Sequence, residues 1–389
     1  MKISISRRRI PALGLCLAVG VAWASGQAIA DSDLSTGPLP DTHAPAGVMF
    51  DHMHKAGEWM VGLRYAHTSE SGDILHGGSK ASDQTIIDRG CGSHNCSMVP
   101  TSMSMNMYML DIMYAPTDWM TLMLMPMYMS HDMKMRSLKP TAGHMGHGGM
   151  DHGGSMGHSD SMDMSMDSEM DEMMSHGTHA HSGGHAHGTD GWGDTIFGPE
   201  LRLAEGPGYH LQFSPMFSAP TGSVNKKMGG TFTHYMMQPG SGTWDFLPSI
   251  TYTGRADRLA WGAQVLGVVR MEEANDSGYR LGDVLQVTGW GSYRLANWIS
   301  ASVRGLYTEQ GKIEGHYNGP HKHSSPPDLQ YNYGGTFWDI GFGINTVVPS
   351  GRLAGLRLSA EWLQPVEENV NGFQLERNGT LWANTTISF

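Results

Sequence analysis

The chain has 389 residues, long enough for one large domain or two ordinary ones, and its formal charge of −12 disfavours nucleic acid and favours cations as partners. Its 52 glycines and 11 tryptophans fit neither a helical membrane protein nor a leucine-rich enzyme core.

At the N-terminus Arg7-Arg8-Arg9 precedes an apolar run from Ile10 to Trp23, and Ala28-Ile29-Ala30 reads as a small-x-small cleavage site before Asp31. That layout is a secretory signal peptide over 1–30. Cys16 follows Leu15 inside the run, where a lipoprotein signal requires a small residue, so it is expected to leave with the signal. Cys91 and Cys96 then remain, in Cys-Gly-Ser-His-Asn-Cys, and an oxidising compartment favours a disulfide between them over paired metal thiolates. No later apolar run approaches the roughly 20 residues of a spanning helix. Membrane residence would therefore require a barrel.

The segment 31–57 is polar, contains His43, His52, Met53 and His54, and is expected to be a periplasmic lead. From Glu58 to His67 the residues Trp59, Val61, Leu63 and Tyr65 alternate with Met60, Gly62, Arg64 and Ala66, the period of a strand with one apolar face. A long polar loop from Thr68 to Pro100 carries the cysteine pair.

Methionine then recurs at alternate positions on both sides of Ala115-Pro116-Thr117-Asp118. With a tight turn pairing Tyr114 and Met120, Met109 would face Met125, Met107 would face Met127, Met105 would face Met129, and Met103 would face His131. Opposed side chains in an antiparallel pair are roughly 5 Å apart at Cβ, so such a ladder could share a soft ion. The alternative, which the adaptability of methionine as an apolar filler favours, is that these side chains only pack. Asp111 and Thr121 share the methionine parity, whereas Leu110, Ile112, Leu122 and Leu124 share the other. The sulfur face is therefore expected to look inward and the aliphatic face to meet lipid.

Residues 136–193 are expected to form a Met/His-rich extracellular loop. His144, His147, His152, His158, His176, His179, His181, His185 and His187, with Met145, Met150 and Met156, are its candidate ligands. Thioethers prefer Cu(I) and imidazoles suit Cu(II), zinc and nickel, so the tract could hold copper in either oxidation state. A solvated loop with no ligand is the bland alternative.

The rest of the chain alternates apolar and polar residues between turns, ending on Leu381, Ala383, Thr385, Ile387 and Phe389. Counted this way there are about twelve strands of bilayer-crossing length, joined by alternating long and short connections. The fold expected is all-β: a transmembrane antiparallel up-and-down β-barrel, 58–389, with long extracellular loops and aromatic girdles against outer-membrane lipid. Terminal Phe389 resembles the signal read by the barrel-assembly machinery. Inward candidates Glu200, Arg202, His210, Gln212, Asp245, Arg270, Arg304, Asp339, Arg357 and Glu361 carry both charge signs, compatible with an aqueous pore or with a plugged, salt-bridged interior. No nucleophile elbow, zinc-protease motif or phosphate loop is present, and no catalytic cofactor or enzyme activity is expected.

The stretches MHKAGEWMVGLRYAH, MNMYMLDIMYAPTDWMTLMLMPMY and QPGSGTWDFLPSITY resemble a family of bacterial outer-membrane transporters within the wider group named after meta-pathway phenol degradation. The resemblance implies a barrel in the outer membrane. The tract from Gly143 to Gly188 is similar in composition to the Met- and His-rich region of outer-membrane copper resistance proteins of the B type. Two functions follow. One is copper capture or transport through the loop and the sulfur ladder; the alternative is a channel for small organic, including aromatic, solutes.

Overall fold

Burial follows the parity of the sequence. In β1 (Trp59–Gly77) Trp59, Val61 and Leu63 are exposed while Met60, Arg64 and Ala66 are buried. In β2 (Met98–Thr117) Tyr108 and Leu110 are exposed while Met109, Asp111 and Met113 are buried. A strand with a lipid face and an enclosed face requires that split. The computed structural model describes residues 39–139 and 184–389; the expected signal peptide, with Cys16, falls outside them.

The remaining wall comprises β3 (Met120–Met125), β4 (Met127–Ser137), β5 (Gly184–Trp192), β6 (Thr195–Gly206), β7 (Tyr209–Ala219), β8 (Asp245–Ala256), β9 (Leu259–Arg270), β10 (Val284–Ala296), β11 (Ile299–Gln310), β12 (Gly335–Val347) and β13 (Arg357–Ser388). All pairings among the described residues are antiparallel, and β1 is bonded to β13 on one side and to β2 on the other, so a ring of strands closes. Eleven elements form the closed ring. The last of them, β13, pairs with β12 through Arg357–Val370 and with β1 chiefly through Phe373–Ser388, with Gly372 at φ 61° between the two stretches. An up-and-down meander whose first and last staves are antiparallel needs an even number of them. The two halves of β13 therefore count as two staves, which gives the even count expected from the sequence.

Short turns lie at the end where Trp59 and Phe389 exchange backbone hydrogen bonds, and long loops lie at the other. In bacterial outer-membrane barrels the short-turn end is periplasmic. Exposed Trp59, Trp119, Tyr209 and Trp298 ring that end, and exposed Trp192, Trp244 and Trp338 ring the opposite one, as interfacial aromatics do. On the loop side α1 (Asp83–Arg89) starts at Ser82, whose hydroxyl accepts the Thr85 N–H, and leads into the disulfide between Cys91 and Cys96.

Three expectations change. The hairpin register is shifted by two: Met113 faces Met123, Met109 faces Met127, Met107 faces Met129, Met105 faces His131, and Met103 faces Met133. The chain turns later than expected, at Asp118-Trp119 with Thr117 opposite Met120. A one-residue bulge between Tyr114 and Thr117, spanning Pro116, which has no N–H to give the ladder, restores the parity. A shift of two preserves parity, so the sulfur face still points inward. Next, β4 runs to Ser137 and β5 starts at Gly184, so His185 and His187 belong to a strand and not to the expected 136–193 loop. Glycine at positions 184, 188 and 191 leaves that strand without the apolar alternation that would have marked it. Finally, the described part of the expected periplasmic lead lies inside the barrel.

A charge on the lipid face should cost far more than a change on the sulfur face. Leu124→Arg is expected to destabilise the protein by about 2–4 kcal/mol, and Met125→Leu by less than about 1.5 kcal/mol, read from denaturant unfolding out of lipid vesicles.

Candidate functional site

The lead enters the lumen from the short-turn end and returns there. Leu39 O accepts from Arg357 Nη1 (2.8 Å) beside one turn, and Gly57 N–H donates to Ala115 O (2.8 Å) beside another. Between them the irregular backbone has no ladder of its own, and buried carbonyls must find donors elsewhere. Inward side chains supply them. Arg64 Nη1 donates to Ala46 O (2.9 Å) and Val48 O (3.0 Å), Gln212 Nε2 to Phe50 O (2.8 Å), Gln264 Nε2 to Met49 O (2.6 Å), and Asn384 Nδ2 to Ala46 O (2.8 Å). Gly47 N–H donates to Glu361 Oε2 (2.7 Å), and Glu361 is held by Arg304 at 2.8 Å. Arg64 also pairs with Asp111 at 3.3 Å. Of the two interiors left open by the sequence, this half of the barrel has the plugged, salt-bridged one.

The methionines divide into two groups around this plug. Met60, Met109, Met113, Met123, Met125 and Met216 pack with Phe50 of the lead into one buried cluster, against which Met107 and Met127 lean. Thioethers on flexible stems suit the irregular gap between a lead and a curved wall. Farther toward the loops, Met103, Met105 and Met107 line a cavity of about 370 Å³ with Leu306, Phe337 and Phe373. Its polar lining includes Glu70, Asp339, Glu368 and Arg377, and Arg377 bridges Glu368 (2.8 Å) and Asp339 (3.1 Å). Arg377 also lies over the Phe337 ring, 4.5 Å from its centroid.

Loops cover the outer end with stacked rings. Tyr317 stacks on Phe232 at 4.2 Å and on Tyr235 at 4.4 Å, and Tyr279 and Tyr333 meet Tyr235 edge-on. His234 Nδ1 lies 2.8 Å from Asp328 Oδ1, and its ring meets the ring of His187 at 6.0 Å.

Of the candidate ligands, Met103, Met105, Met107, Met109, Met125, Met127, Met129 and His131 share the inward parity of one hairpin. Only some of them line open space, and Met109 and Met125 are sealed in the packed cluster. His131 is buried opposite Met105 with Nδ1 lacking a hydrogen-bond partner. His144, His147, His152, His158, His176, His179, His181, Met145, Met150 and Met156 lie outside the described residues. A group that the sequence reading left unassigned is His43, Asp51 and His52 of the lead, whose ligand atoms all lie within 4.8 Å of one another. Three histidines in 12 residues of a supposed tail were the available signal.

The sequence matches a family profile described as "Putative MetA-pathway of phenol degradation" over residues 169–362. Among solved structures, an outer membrane channel from Pseudomonas putida F1 is 13% identical, with 88% of this chain and 98% of that one aligned at a TM-score of 0.51, which establishes a shared fold. A Pseudomonas aeruginosa FadL homologue (8% identity, 86% and 90% coverage, TM-score 0.37) and a TodX monoaromatic hydrocarbon channel mutant (11%, 86% and 90%, 0.38) are more distant, and no argument rests on them. No curated protein matches the chain.

The loop cover should respond to acid. Burial alone would raise the Asp328 carboxyl, but the adjacent His234 ring and hydrogen bonds from Ser325 hold it below the ordinary carboxylate range. A carboxyl depressed in the folded state stabilises above its unfolded value of about 4 and loses that contribution as pH falls through the lower folded value. Amide exchange in 311–334 is expected to speed up below about pH 4. Asp328→Asn should show the fast exchange already at neutral pH and lose the acid step.

Proposed function

We propose that this member of an outer-membrane transporter family passes small organic solutes, aromatic ones among them, through a lumen that its own lead closes. The observation that carries the reading is the cavity of about 370 Å³ directly outside the plug, walled by thioethers and aromatic rings. Sites for small molecules are concave, mostly apolar and a few hundred Å³ in volume, with few polar groups to fix orientation. Here Met103, Met105, Phe337 and Phe373 offer the apolar wall, and Arg377 with its carboxylate partners offers hydrogen bonds to a hydroxyl or carboxylate on the solute. The family description, which names phenol degradation, points to the same chemistry. The solute would enter past the stacked tyrosines, rest in the cavity and leave to the periplasm when the lead shifts. Passage of this kind needs positioning groups and no bond-making ones, which accords with a transporter and not an enzyme. Copper capture by the tract would depend on residues outside those described, whereas solute passage has a cavity to support it.

Influx into proteoliposomes, with a hydroxylated aromatic carboxylate and a neutral sugar of similar mass, tests this. The aromatic acid should enter faster, and Met105→Trp, which fills the cavity, should slow it by about an order of magnitude, the effect of losing roughly 1.4 kcal/mol of solute binding. Equal entry of both solutes, or no response to Met105→Trp, would contradict the proposal.

A further inference from the structure

The lead carries a second feature that solute passage does not use. His52 Nε2 lies 3.4 Å from Met60 Sδ on the barrel wall, and the His43 ring is 4.0 Å from the His52 ring, centroid to centroid. Nitrogen and sulfur bound to one tetrahedral ion at about 2.0 and 2.3 Å sit roughly 3.5 Å apart. We propose that His43, His52 and Met60 form a site for a single soft metal ion of the Cu(I) class, which clips the luminal lead to β1.

Four further observations support it. Asp51 Oδ1 lies 2.9 Å from His52 Nδ1, and Asp51 Oδ2 accepts the Ala44 N–H at 2.9 Å. Ligating histidines almost always give their other ring N–H to a carboxylate, backbone carbonyl or water, and Asp51 in that role would fix the tautomer and leave Nε2 for the ion. His54 repeats the arrangement less tightly: Nδ1 is 3.6 Å from Glu58 Oε2, while Nε2 is buried without a hydrogen-bond partner and the ring meets that of His52 at 5.2 Å. A small cavity of about 30 Å³ is lined by His43, Asp51, His52 and Met60, and a single water-sized occupant needs only about 10–15 Å³ of such space.

The donor set and the charge select the ion. Thioether sulfur favours Cu(I), and imidazole is compatible with it; a thioether is a poor ligand for hard cations. Arg64 and Arg357 also line the cavity and offset Asp51, so a monovalent ion is disfavoured less than a divalent one. The donors come from two parts of the chain, the histidines from the lead and the sulfur from the wall. An ion here adds a tie between plug and barrel that the hydrogen bonds to Ala46, Val48 and Phe50 do not supply.

The test uses the full-length protein in micelles and in crystals, because the 140–183 tract also contains His and Met and total copper would not distinguish the two. Anomalous diffraction from crystals loaded with Cu(I) should show a peak within roughly 2.5 Å of both His52 Nε2 and Met60 Sδ. Met60→Leu should abolish that peak. Asp51→Asn should weaken retention of this ion against a competing Cu(I) chelator by roughly 10–100-fold. Heat-modified mobility on gels would verify that both variants remain folded barrels. Copper peaks elsewhere with none in this pocket, Zn(II) but not Cu(I) occupying it, or folded Met60→Leu retaining the ion like the wild type would each overturn the proposal. None of these outcomes bears on organic solute passage.

Discussion

The backbone of the luminal lead has to be hydrogen-bonded, and the inward face of the barrel is built to do it. An irregular segment in an enclosed lumen cannot leave carbonyls bare, and each one left unpaired would cost about 1–3 kcal/mol. Arg64, Gln212, Gln264, Asn345 and Asn384 come from different staves and converge on carbonyls between His43 and Phe50. The inward polar set is therefore a cradle, with Arg64–Asp111 and Arg304–Glu361 as its charged braces. Removing one partner of such a buried pair would leave the other charged and alone, which is why both signs occur together.

Sulfur fills what hydrogen bonds cannot. A lead without regular structure leaves gaps of uneven shape, and the thioethers of Met60, Met109, Met113, Met123, Met125 and Met216 close them around Phe50. The same parity carried farther along β2 brings Met103, Met105 and Met107 to the cavity wall. One repeated sequence feature thus serves packing at one depth and lines a cavity at another. The depth of the lead in the lumen decides which.

Much of the barrel was legible in the sequence because the bilayer enforces alternation: Trp59, Val61 and Leu63 against Met60 and Arg64, Leu122 and Leu124 against Met123 and Met125. Parity also gave the inward face of the methionines. Register was not legible, because the turn at Asp118-Trp119 and the compensating bulge at Pro116 together change partners without changing faces, and the hydrophobic pattern marks neither. The strand from Gly184 to Trp192 was missed because beyond the membrane no lipid imposes a period, and its glycines and histidines read as loop. The plug was missed for a different reason. Residues 39–57 are polar because they hydrogen-bond to an enclosed polar wall, and composition alone cannot distinguish that from exposure to water.

The central claim is that the lead keeps this lumen shut. Its most direct test is single-channel conductance in planar bilayers, comparing the intact chain with one lacking residues 39–56. The intact protein should stay closed or flicker at low conductance, and the shortened protein should hold a steady open level. An intact protein that conducts as freely as the shortened one would contradict the claim.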